Sequence, residues 1–385
     1  MLRYKTAATL LGACAVGVVM SLVRADIGRP RGVPVAAPAG PVPAQRAEAF
    51  ASPAASPAIM ATAAAARPRA KAHGARASEA AADEALCRRA AAVAPGGSEG
   101  IASSPANDPA IVAAERRIDA ALRASPDPFA RAVAAWLDAD HVTPSFRERQ
   151  ERLAQQAQTT GDARIYALAF RECMKGVDDE AAPACQALSA RQWARLDGGN
   201  AMPWVYVLGE AVARGDTVAR DEALFQIAAA PRIEERPYAV ARAILDHVEG
   251  DGAGLVAADE LVAQALGMAA AQKLPLYALL SACRAGARED ANVEQLCVEA
   301  SDLLVNRSDT LAIRRIGGAI ELALDDDTTR HDRLKDEAAR LGTPPSLHEA
   351  AGCASLRDAH AFFRRAGEVG EVAALRERIG RGSAP

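Results

Sequence analysis

From about residue 107 onward one pattern of apolar and polar positions recurs. Apolar residues return every three to four places for ten to twenty residues, then a short polar break carries Gly, Asp, Asn or Pro. That period marks amphipathic helices, and no window holds the two-residue alternation of a strand. It predicts helices at about 201–214, 218–230, 236–248, 255–272, 275–286, 291–306, 310–324, 328–341, 355–366 and 368–379. Upstream, Asp108-Pro109 and Asp127-Pro128 each read as a cap followed by a first-turn proline, whose missing N–H would be unpaired there anyway. Ser145 and Glu148 read as a capping box for a helix ending near Thr159. Gly161-Asp162 turns the chain into a helix over Ala163–Met174, and Asp178 or Asp179 is expected to cap a helix running to Leu196. Connections of two to six residues make successive helices antiparallel neighbours.

An aromatic marker runs through these helices. Tyr166, Trp204 and Tyr238, continued by Leu276-Tyr277, are spaced by 38, 34 and 38 residues, and Pro203, Pro237 and Pro275 precede three of them. A period of that length predicts stacked helical hairpins. At 196–223 the pattern sharpens into Leu196-Asp197-Gly198-Gly199-Asn200, Pro203-Trp204, Gly215-Asp216 and Asp221-Glu222-Ala223. This stretch resembles a tetratricopeptide repeat. The resemblance implies two antiparallel helices, the aromatic of the first packed into the next hairpin, in diverged form over 161–325. The whole reads as an all-α, TPR-like superhelix of antiparallel hairpins behind a disordered N-terminal tether. Departures from that family are Leu208 at a small-residue site, Gly198 in place of a proline, and three extra residues before Asp221. An irregular helical bundle is the alternative architecture.

The resemblance also implies a concave groove lined by the first helix of each unit. In register with Trp204, its places are Arg164, Arg171, Met174 and Lys175, then Met202, Val205 and Val212. Arg236, Asp246 and His247 follow, and then Tyr277, Ser281 and Arg284. The candidate binding set is Arg164, Arg171, Lys175, Arg236, His247, Tyr277 and Arg284. Arginine forks match carboxylates, so the expected ligand is an acidic or C-terminal segment of a protein or peptide. Trp204 is expected in the interior, and Glu234-Glu235 reads as a solvated face.

The ends change the picture. Arg3 and Lys5 precede the uncharged apolar stretch 6–23, and Val23-Arg24-Ala25 offers a small-residue cleavage site. Residues 1–25 read as an export signal or, at the lower length limit for crossing a bilayer, a retained inner-membrane anchor. Leu11-Gly12-Ala13-Cys14 offers a third reading, a lipoprotein signal. Forty arginines against five lysines, with abundant alanine, suggest a GC-rich bacterial genome and hence the periplasm. Residues 26–106 form a Pro/Ala-rich tether with eight prolines between Pro30 and Pro68. It has too few aliphatics to offset its ordering entropy, and a short helix is expected at 79–93. Helices at 107–160 precede the repeats, and 326–385 should cap them.

The formal net charge is −4. Residues 26–78 carry seven basic and two acidic side chains, giving +5, and the first 25 add three cations. That leaves −12 for 79–385, which argues against nucleic acid, a ligand that needs a basic footprint.

Six cysteines follow the signal. Cys173 and Cys283 sit seven residues after Tyr166 and Leu276, and each has a partner one hairpin turn later, Cys185 and Cys297. In an oxidising compartment the expected disulfides are Cys173–Cys185 and Cys283–Cys297; Cys87 and Cys353 are left over, and their pairing stays open, a bridge from the helix after the tether to the C-terminal cap being one option. Zinc-type spacings and a Cys-x-x-Cys motif are absent from the sequence. So are a His-Glu-x-x-His motif, a Gly-x-Ser-x-Gly elbow and a phosphate-cradling loop. No catalytic residue, metal or cofactor is assigned. The expected function is a periplasmic scaffold or adaptor for a protein or peptide. The rivals are a secreted all-α enzyme, such as a cell-wall hydrolase, and a purely structural spacer.

Overall fold

The computed structural model describes residues 81–88, 108–137, 146–175, 182–248, 251–270, 275–325, 328–342, 345 and 352–382. The expected signal, nearly all of the expected tether, Ser145, Asp178 and Asp179 lie outside these residues. The described residues are predominantly helical, without a named strand. The helices are α1 (81–88), α2 (Pro109–Ala124), α3 (Pro128–Leu137), α4 (Phe146–Thr160), α5 (Ala163–Cys173), α6 (Ala190–Leu196), α7 (Met202–Arg214) and α8 (Thr217–Ala228). They continue as α9 (Pro237–Leu245), α10 (Gly252–Ala270), α11 (Leu276–Ala282), α12 (Ala291–Arg307), α13 (Leu311–Leu324), α14 (Thr329–Leu341), α15 (Cys353–Val369) and α16 (Glu371–Gly382). Two 3₁₀ turns, Pro183–Ala187 and Ala285–Glu289, complete the set.

Local chemistry sets most of these ends. Asp108 accepts the Ala110 N–H at 2.9 Å, Asp162 that of Arg164 at 2.8 Å and Asp216 that of Ala219 at 3.0 Å, each satisfying an otherwise orphaned donor. Gly215 ends α7 in the left-handed region (φ 67°), where a side chain would be strained. The single helix expected up to Leu196 is instead divided. Pro183 opens a 3₁₀ turn that carries Cys185 to Cys173, and Ser189 caps the short α6.

Consecutive helices pack on one another, most extensively α4 with α5, α7 with α8, α9 with α10, and α12 with α13. Packing also reaches well beyond sequence neighbours. The pair α7–α8 lies on α11 and α12, whereas α9–α10 lies on α2, α3 and α15. Close approach is built in where α15 crosses α9: a Cβ at Gly367 would stand 2.5 Å from the Tyr238 carbonyl oxygen. One connected apolar interior runs from Leu86 to Leu375. It contains Trp136 and Trp193, together with Met202 and Val205, which the groove register had placed outward. Trp204, expected inside, is only partly buried against this interior.

Three disulfides tie the chain: Cys173–Cys185, Cys283–Cys297 and Cys87–Cys353, with Cα separations of 5.6, 5.4 and 5.1 Å. The last joins α1 to the start of α15 across 266 residues. Such a set fits maturation in an oxidising compartment.

Candidate functional site

The polar centre of the molecule is the segment Pro231–Arg236, between α8 and α9. It threads between the loop after α6 and the loop before α13, with parallel bridges Asn200–Arg232 and Ile233–Ser308. Asn200 clasps it through its side chain: Nδ2 donates to the Glu234 carbonyl at 2.9 Å, and Oδ1 accepts the Glu234 N–H at 2.9 Å. On the other side the Asp309 carboxylate accepts the N–H groups of Glu235 (3.0 Å) and Arg236 (2.8 Å). Arg236 holds a left-handed conformation (φ 57°, ψ 42°), which an arginine adopts at a cost of about 1–2 kcal/mol, so these contacts over-determine it.

Three of the proposed groove residues meet beside this segment. Arg164, Arg171 and Arg236 line a small pocket with Phe129, Trp193 and Glu235. The pocket encloses about 20 Å³, room for a single water. The three arginines are committed within the protein. Arg164 pairs with Asp162 (2.7 Å) and Asp127 (3.1 Å) and stacks 4.8 Å over the Phe129 ring. Arg171 is buried and donates to the carbonyls of Ala167 and Glu235. Arg236 pairs with Glu234 at 2.6 Å. The expectation of a free basic strip therefore does not hold at these three positions, because internal acceptors occupy the forks.

Glu235 was read as solvated, and here the fold decides otherwise. Burial pushes its carboxyl up to about 7, against the Arg171 guanidinium and with the added push of Asp309 and Glu371. Burial likewise raises Asp309 to about 6 despite its two backbone donors. Glu371 is also raised by burial, while accepting the Leu311 N–H (2.8 Å) and the Tyr238 hydroxyl (3.2 Å). Asp309 and Glu371 thus hold chain segments together. Neither carried a sequence signal, since each becomes buried only when distant helices close over it.

The other proposed residues stand apart from this centre. Lys175 pairs with the fully buried Glu172 at 2.7 Å and lies over the Trp136 ring. His247 Nδ1 lies 2.8 Å from the Ala243 carbonyl at the end of α9. Tyr277 is 69% exposed, with the Arg284 guanidinium 5.9 Å from its ring centre. On α7, α8 and α12 the side chains of Val212, Val218, Phe225 and Val298 are also exposed. Among the described residues no group of three His, Cys, Asp or Glu side chains could hold a metal ion. Comparison of the chain with protein-family models, curated proteins and solved structures returns no match.

Proposed function

We propose that the protein is an exported, disulfide-stapled helical scaffold of the periplasm that binds a protein or peptide partner through the face around Tyr277. The observation that carries this reading is the exposed Tyr277–Arg284 pair on the mutually packed helices α7, α8, α11 and α12. Tyrosine and arginine dominate the energetic centres of interfaces, because each offers a large rigid surface with a polar handle. The exposed apolar side chains Val212, Phe225 and Val298 of the packed helices α7, α8 and α12 supply area that a partner would remove from water. In this reading the N-terminal tether gives the body reach from the point of export or anchoring.

The test is cross-linking from the native cell envelope with a photoreactive group at position 281, comparing the unaltered protein with Tyr277→Ala/Arg284→Glu. A discrete partner band that disappears in the variant, with helical content unchanged, supports the assignment. No discrete band, or a band indifferent to both substitutions, removes it.

A further inference from the structure

A groove of about 810 Å³ lies far along the chain from Tyr277, between the end of α12, the start of α13 and one face of α14. Its floor includes Val305 and Leu334, the latter seated where α14 crosses Gly318 of α13. Arg333, Asp336, Glu337 and Arg340 recur at helical spacing along α14, so one face of that helix forms the wall. The groove is built rather than incidental. Arg314 is 8% exposed, donates Nε to the Val305 carbonyl at 2.7 Å and grips Glu337 through both terminal nitrogens at 3.1 and 2.9 Å. Arg376 of α16 reaches the same carboxylate at 2.6 Å.

This arrangement leaves an electrostatic remainder. Glu337 is shared by two arginines. Among the described residues Arg333 makes only a long contact from Nε to the Thr329 carbonyl (3.4 Å), and Arg340 has no acidic partner. Counting Arg314, Arg376, Arg333 and Arg340 against Glu337 and Asp336 gives a local charge of +2 on a body that is acidic overall. Arg333 and Arg340 are seven residues apart, two helical turns, so their Cα atoms lie on one side of α14 about 10 Å apart. A polyproline-II chain has three residues per turn and advances about 3.1 Å per residue, so carboxylates at i and i+3 share one face about 9 Å apart, close to that separation. Asp336 stands between the arginines and disfavours a third acid in the middle.

We infer that this groove binds an extended acidic peptide segment, with carboxylates at positions i and i+3 taken by Arg333 and Arg340. The inference deepens the partner-binding reading but uses a different face, so either can fail without the other. The probe is fluorescein-labelled Gly-Glu-Ala-Lys-Glu-Gly, titrated against the full chain by fluorescence anisotropy in 50 mM salt. Gly-Glu-Glu-Ala-Lys-Gly, of equal composition and shifted register, is the control. The expected result is saturable binding of the first peptide, weakened at least about tenfold by Arg333→Glu/Arg340→Glu, as loss of two charge-assisted contacts requires. Arg284→Glu should leave it unchanged. Both groove side chains are exposed, so the variant should fold, and Arg333→Gln/Arg340→Gln provides a milder check. No binding, equal binding of the two peptides, or binding indifferent to the double reversal overturns the assignment. Binding of anionic vesicles but not the peptide, lost in the same variant, would replace the ligand class and also overturn it.

Discussion

Trp136 and Trp204 separate what a large aromatic contributes from where the fold places it. Trp136 has no exposed surface, and its indole N–H donates at 2.9 Å to Glu172, a carboxylate also gripped by Arg149 (3.3 Å) and Lys175 (2.7 Å). Truncating it removes core packing and strips a buried carboxylate of one donor, so Trp136→Ala should cost at least about 3–5 kcal/mol. Trp204 is partly exposed and only borders the interior. Trp204→Ala should therefore cost no more than about 2 kcal/mol, the scale of partial side-chain burial. Urea unfolding of the two variants checks the ranking; equal losses would return Trp204 to the core. Sequence register pointed to Trp204 because it follows proline at a helix start, but register does not reveal which helix covers that face.

At the scale of elements, boundaries were legible because short-range chemistry sets them. Asp108, Asp162 and Asp216 cap their helices through side-chain bonds within three residues. The failure at 178–196 has the same origin: Pro183 and Ser189 impose a turn and a cap that outweigh apolar periodicity. Disulfides act on a longer range and rank by the loop they close. On a loop-entropy estimate, the 12- and 14-residue closures at Cys173–Cys185 and Cys283–Cys297 are each worth about 3 kcal/mol, and the 266-residue closure at Cys87–Cys353 about 5 kcal/mol. Cys87→Ser/Cys353→Ser should accordingly lower the thermal midpoint more than Cys173→Ser/Cys185→Ser. The reverse order in calorimetry would mean that α1 and α15 stay docked without their covalent link.

For the molecule as a whole, the closure of α15 onto α9 and α10 brings buried ionisable groups together. Asp259 of α10 and His360 of α15 stand 3.9 Å apart, and both ring nitrogens lack a hydrogen-bond partner. Burial pushes Asp259 up to about 8, with Glu260 adding, and pushes His360 down to about 4, with Arg364 adding. A raised carboxyl loses its contribution to stability as pH rises through the folded value. A depressed histidine loses its own as pH falls from its ordinary 6.5 toward 4. Between about 4 and 6.5 these slopes cancel, since the pair binds one proton whether folded or unfolded. Above 6.5 only the folded pair keeps that proton, so stability should fall by roughly 2 kcal/mol up to pH 8. Glu235 and Asp309 lower stability in the same direction below pH 7, which makes the interval from 7 to 8 decisive. Chemical denaturation there should show a decline that Asp259→Asn, which cannot ionise, abolishes. A decline of equal slope in that variant would exclude this pair as its source.

Helical content, most helix limits and the two local cysteine pairs were readable from the chain alone, because caps, periodicity and short loops depend on neighbours within about fifteen residues. The partnering of α9 with α15, the clasp on Pro231–Arg236 and the Arg333–Arg340 groove were not. Each joins residues tens to more than a hundred positions apart. The same distance explains the arginines: guanidinium composition is visible in a sequence, but whether Arg171 or Arg340 keeps a free fork depends on which carbonyls and carboxylates the folded chain brings within reach.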